Sequence, residues 1–160
     1  MRWFLIDSYG DIAPHVALTA KKLISHNEEF YENHFPWNPV FPATLLLEMM
    51  AQAGGVLAGI SLGFSKDVFL GKIERADFFR EISPPAQIQI RANLVVEDSH
   101  SAWTEMELSD EKGVAATSKI MFVFLGATAT AQQTESRVFT DTFLKTYNLL
   151  EFKNCETVPL

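Results

Sequence analysis

One segment of the chain has no polar side, and that dictates what must surround it. From Ala43 to Leu62 the sequence reads ATLLLEMMAQAGGVLAGISL. Leu, Met, Ala and Gln are strong helix formers, so the segment predicts a helix starting at Ala43 and ending near Gly59 to Gly63. Apolar residues cover nearly every face, and such a helix must be enclosed. Lipid is a poor enclosure here. Glu48, Gln52 and the Gly54-Gly55 pair interrupt the run, its flanks carry no basic cluster, and an acid at the bilayer centre costs about 3 kcal/mol. The segment therefore predicts a helix buried in protein, with no membrane partner. Upstream, Pro36, Pro39 and Pro42 each remove a backbone donor and constrain the preceding residue, so the chain from His34 to Pro42 is an irregular loop.

The enclosing layer is legible as a second periodicity. Val68–Arg80, Ala86–Glu97, Ala102–Ser109 and Val114–Leu125 read as strands. The last three alternate, with one face carrying Ile88, Ile90, Ala92 and Leu94; then Thr104, Met106 and Leu108; then Ala116, Ser118, Ile120, Phe122 and Phe124. Period-two patterning across segments joined by short turns (DSHS, DEKG) implies an antiparallel sheet with one polar face. Two more strands are expected upstream, Arg2–Ile6 and His15–Ile24, the latter with Val16, Leu18 and Ala20 on one face. The economical packing is an α+β fold, with a curved antiparallel sheet wrapped around one long central helix. Residues 1–125 form that domain. Residues 126–160 follow as a linker, GATATAQQTES, and an amphipathic helix over RVFTDTFLKTYNLLEF. That helix is expected to pack on the outside of the sheet, and a partner surface is its alternative use.

Composition narrows the function classes. A chain of 160 residues with 48% hydrophobic content suits one domain with a real core. A net charge of −7 argues against non-specific nucleic-acid binding. A single cysteine, Cys155, excludes an intrachain disulfide and fits a reducing compartment. The N-terminus lacks the shape of a signal peptide, so a cytoplasmic location is expected. His15, His26 and His100 have no metal-ligand spacing, and there is no phosphate-binding glycine loop or nucleophile elbow.

The stretch His34-Phe35-Pro36-Trp37-Asn38-Pro39-Val40-Phe41-Pro42-Ala43-Thr44-Leu45-Leu46-Leu47-Glu48-Met49-Met50-Ala51-Gln52 resembles, without gaps, the signature of the 3-hydroxyacyl-(acyl-carrier-protein) dehydratases. Phe69, Gly71, Ala76, Phe78 and Pro84 echo a second element of that family, and the resemblance spans roughly residues 2 to 125. It implies a hot-dog fold working as a homodimer or trimer of dimers, with the site at the interface. The histidine, His34, would come from one subunit and the acid, Glu48, from the other. It also implies an oxyanion donor at the Ala43 N–H, an acyl tunnel lined by Phe35, Trp37, Phe41 and Pro42, and a substrate carried on acyl carrier protein or coenzyme A. Three positions depart from the pattern: Trp37 and Ala43 stand where the family has glycine, and Pro85-Ala86 replace its Gly-Asp.

The implied residues suit the chemistry. Dehydration needs a base for the C2 proton, an acid for the departing 3-hydroxyl and a donor for charge on the thioester oxygen, without metal or redox cofactor. Neutral imidazole accepts a proton near pH 7, which fits His34. Apolar surroundings disfavour a carboxylate anion, so burial would keep Glu48 a proton donor. Gln52, one turn on, shares its face and can orient the carboxyl. The Ala43 N–H stands at a helix start, where unpaired donors favour developing negative charge. Lys21, Lys22, Lys72, Arg75 and Arg80 are candidates for a basic rim against an acidic carrier. Two other readings stay open. One is thioester hydrolysis on the same fold; the other is a non-catalytic module that binds acyl carrier or a synthase, motivated by Trp37 and the lost glycines.

Overall fold

A computed structural model describes residues 5–32, 34–126 and 138–153. In chain order it contains β1 (Ser8–Ala13), β2 (Ala17–Ile24), the central helix α1 (Ala43–Ser61), β3 (Asp67–Phe78), β4 (Ala86–Glu97), β5 (Ser101–Asp110), β6 (Gly113–Leu125) and α2 (Asp141–Thr146). Single 3-10 turns lie at Glu29–Glu32 and Leu150–Phe152. The strands form one sheet in the order β1-β2-β4-β5-β6-β3, with every neighbouring pair antiparallel. This is the hot-dog arrangement, with α1 packed against the sheet's inner face.

The alternation in the sequence sets that face. Register places Ile90 opposite Leu108, Leu108 opposite Ala116 and Thr104 opposite Ile120, and all of these side chains are buried. They pack on Met49, Met50, Leu57 and Ile60 of α1, which are themselves fully enclosed. Contact is closest at Gly54. A Cβ there would lie 2.7 Å from Thr104 Oγ1 and 3.0 Å from Met106 Sδ and Phe122 Cε2. Pro42 caps the start of α1, its carbonyl accepting from Leu45 N and Leu46 N. At the far end Gly63 and Phe64 take positive φ, and Phe64 N returns to Gly59 O at 2.8 Å, a closure that satisfies late helix carbonyls. By length and composition α1 is the one described helix able to cross a membrane, but it is the core helix inside the sheet.

Three local expectations are corrected. Of the anticipated strand Arg2–Ile6, only Leu5 and Ile6 are described, and they are buried but not in a strand. Side chains take their backbone groups: Leu5 N donates to Gln52 Oε1 and Ile6 O accepts from the Tyr147 hydroxyl. The first strand is instead the polar β1. Val16 does not share the inward face of Leu18 and Ala20. It sits in the β1–β2 turn, its N–H bonded to Ala13 O, and is 60% exposed.

The terminal helix is also shorter than the sixteen-residue pattern implied, and the linker over residues 127–137 lies outside the described residues. Thr140 caps α2 by accepting from Phe143 N, and Asn148, at φ 56°, turns the chain back so that Leu149 is buried. The segment lies against α1 and the N-terminal residues rather than on the sheet's outer face. Phe139 stacks edge-on to Phe64, Phe143 on Phe139, Tyr147 on Phe143, and Tyr9 of β1 on Tyr147, all within 5.6 Å between centroids.

Candidate active site

Prolines and helix geometry position the candidate residues. The loop from His34 to Pro42 is pinned to the body of the domain by Phe41, whose N–H donates to Ile82 O at 2.7 Å and whose ring is buried in the core. His34 is half-buried, and its Nδ1 faces the Val40 carbonyl at 3.4 Å. A carbonyl only accepts, so this long contact favours the tautomer with the proton on Nδ1 and leaves Nε2 as the basic atom. His34, Phe35 and Trp37 stack in sequence, with centroids 4.5 and 6.3 Å apart. Trp37 is 85% exposed and closes nothing within its own chain.

The second cluster stands on α1. The helix is open along one face of its N-terminal half, where Ala43, Thr44 and Glu48 are exposed and Gln52 is half-buried, and wholly enclosed from Ala53 to Ser61. Gln52 Nε2 donates to Glu48 Oε1 at 2.9 Å, and Gln52 Oε1 accepts from Leu5 N at 3.3 Å. The amide is thereby fixed in one sense, with its NH2 aimed at the carboxyl. Ala43 N–H occupies the first helical position, where helix geometry supplies no partner.

Glu48 and Gln52 border a cleft of about 280 Å³ whose other walls include Val56, Phe122, Phe139 and Phe143. The volume falls just below the roughly 300–1,000 Å³ of small-molecule sites.

The structure thus brings Glu48 and Gln52 together, and among the described residues the contacts of His34 are with Val40 and Phe35. The expectation of a dry Glu48 is not met in the single protomer, where the carboxyl is exposed. Apolar residues of α1 face the sheet, whereas Glu48 faces the open side. Of the residues placed in the tunnel, Phe41 belongs to the core, Pro42 is the helix cap, and Phe35 and Trp37 project outward. The basic rim is dispersed. Lys22 is paired with Asp7, Arg75 with Asp77, and Arg80 with Asp110.

Two participants were missed from sequence. The Leu5 N–H carries no side-chain signal. Val138, Phe139 and Phe143 lie in the segment expected as an amphipathic helix, but nothing in its pattern says that they border Glu48.

The chain is similar to known proteins in sequence and in fold. A family model for the FabA-like domain matches residues 5–121. A 3-hydroxyacyl-acyl-carrier-protein dehydratase FabZ of Psychrobacter arcticus is 31% identical over 124 residues, covering 74% of this chain and 84% of that protein. The FabZ of Campylobacter hominis is 35% identical over 97 residues, 58% of this chain and 67% of its own length. Among solved structures, thioesterase HI1161 of Haemophilus influenzae superposes with a TM-score of 0.61 at 13% identity, over 79% of this chain and 81% of that one. The dehydratase heterocomplex ApeI:P of Xenorhabdus doucetiae gives 0.57 at 16%, over 72% and 93%. At such identities the structural likeness speaks to the fold alone.

Proposed function

The chain belongs to the FabA-like family, and from that premise we propose that it dehydrates 3-hydroxyacyl thioesters carried on acyl carrier protein to trans-2-enoyl thioesters in fatty-acid or related acyl-chain synthesis. The observation that carries the reading is the relay Leu5 N–Gln52–Glu48. It holds a carboxyl in one orientation on an otherwise apolar helix, at the edge of an apolar cleft.

In this reading His34 Nε2 removes a proton from C2 of the substrate. Glu48 gives its proton to the 3-hydroxyl, which leaves as water while the C2–C3 double bond forms. The Ala43 N–H receives the charge that builds on the thioester oxygen. Proton transfer from His34 back to Glu48, directly or through water, resets the site, and no other group is consumed.

Two subunits complete the mechanism. Within one chain the acid is exposed and makes no contact with the histidine, so a second copy would supply both that partner and the dry environment that favours a neutral carboxyl. Support comes from β3, an edge strand of the sheet that leaves Phe69, Leu70, Ile73 and Phe78 each at least 40% exposed. An edge of this kind is a template for pairing.

The test is turnover. Purified protein with 3-hydroxyacyl carrier protein should form the conjugated enoyl thioester, and His34→Ala should lower kcat by about 10² or more. Binding of the carrier with no turnover at any chain length would leave the non-catalytic reading standing instead.

A further inference from the structure

We infer that the C-terminal segment, through Val138, Phe139 and Phe143, forms the far wall of the acyl pocket and so sets the chain length this protein accepts. The inference rests on the dehydratase reading for the identity of the ligand, and on the geometry of the cleft for the rest.

The cleft has a polar side, Glu48 with Gln52, and an apolar side. A 3-hydroxyacyl group has the same asymmetry: its hydroxyl belongs at Glu48 and its hydrocarbon tail must go where water is excluded. The surfaces away from Glu48 are Val56 of α1, Leu70 of β3, Phe122 of β6 and the three C-terminal residues. Matching stops at residue 121 in the family model, so the C-terminal wall lies outside the matched frame.

The wall is fastened at both ends. Val138 N donates to Asp67 Oδ1 at 3.4 Å, beside the start of β3, and the Tyr147 hydroxyl donates to Ile6 O at 2.7 Å, beside β1. Between these anchors the aromatic stack from Phe64 to Tyr9 runs across α1. Phe139 can approach the helix because position 59 has no side chain; a Cβ there would meet Phe139 Cε2 at 2.7 Å and Phe64 Cε1 at 2.8 Å. A wall tied to both edges of the sheet and seated on a glycine is a fixed stop, and its side chains decide how much hydrocarbon fits.

The experiment measures binding of saturated 3-hydroxyacyl pantetheine amides of graded length, alongside turnover of the matching carrier thioesters. Phe143→Ala should raise the affinity for long chains relative to short ones by about tenfold for each methylene newly accommodated. Val138→Phe should shift the ranking the opposite way, and folding of each variant is checked by its melting transition. A length ranking unchanged from wild type in either folded variant overturns the inference. The two readings fail separately. If wild type binds the amides but turns over none of the thioesters, the dehydratase reading falls while the length ranking still decides the wall; if turnover is normal and the ranking does not move, the wall falls alone.

Discussion

Replacing Gln52 with leucine tests the relay that the catalytic proposal leans on. The substitution keeps the volume and helix propensity and removes both polar ends. It deletes the 2.9 Å hydrogen bond to Glu48 and leaves Leu5 N–H without its 3.3 Å acceptor. With Glu48 neutral, as the mechanism requires, a hydrogen bond contributes about 0.5–1.5 kcal/mol, and the upper end, ~1.4 kcal/mol, is about tenfold in rate. Gln52 acts on the reaction through the acid it orients, so the loss should fall mainly on kcat. Steady-state kinetics on carrier-bound substrate reads both. A Gln52→Leu enzyme with kcat within about twofold of wild type, in a series where His34→Ala is down about 10², refutes the positioning role.

Further outcomes follow from packing and charge. Gly54→Ala should lower stability in urea by about 1–2 kcal/mol, because the clash with Thr104, Met106 and Phe122 exceeds the roughly 1 kcal/mol that alanine adds to a helix; a variant as stable as wild type would mean that helix and sheet are less tightly apposed. Burial opposes ionisation of Asp110, but hydrogen bonds from Arg80 and from the Lys112 N–H hold its carboxyl below the usual range. A depressed folded pKa stabilises above the unfolded value near 4 and is lost as pH falls through the folded value, so the urea midpoints of Asp110→Asn and wild type should differ at neutral pH and converge in strong acid. A constant gap contradicts this. Ile73→Lys, which puts a charge on the exposed edge strand, should convert a dimer to monomer by light scattering, and a monomeric wild type at micromolar concentration would remove the basis for a shared site.

The parts of the fold that show in the sequence are those governed by a repeating burial pattern. β4 to β6 alternate because one face meets α1, and α1 is apolar all round from Ala53 to Ile60 because that half is enclosed. β1 does not show: SYGDIA lies at the sheet edge, partly in water, and its composition reads as a turn. Leu5 and Ile6 mislead for the opposite reason, being core residues whose backbone groups bond to the side chains of Gln52 and Tyr147 instead of a ladder. At the site, the His34-to-Gln52 spacing is legible because loop and helix are contiguous in the chain. The exposure of Glu48 is not, since composition around a helical residue does not say which side of the helix it occupies. The C-terminal wall is out of reach altogether, because its contact with the cleft joins residues some ninety positions apart.

Placement of the site follows from incomplete wrapping of α1. Its enclosed half is the half rich in small residues, and at Gly54 and Gly59 the sheet and the C-terminal segment come too close to admit a side chain. Toward Ala43 the helix carries Leu45, Leu47 and Glu48 instead, and no part of the described chain covers that side fully. A carboxyl is tolerable there because water reaches it, and it becomes a useful acid only when something apolar excludes that water. The edge of β3 and the projecting rings of Phe35 and Trp37 are apolar surfaces that one chain leaves exposed. Pairing two such chains would bury those surfaces and dry the carboxyl in a single step. Assembly and activity should therefore be lost together when the β3 edge is charged, even though Ile73 is not one of the residues bordering the Glu48 cleft.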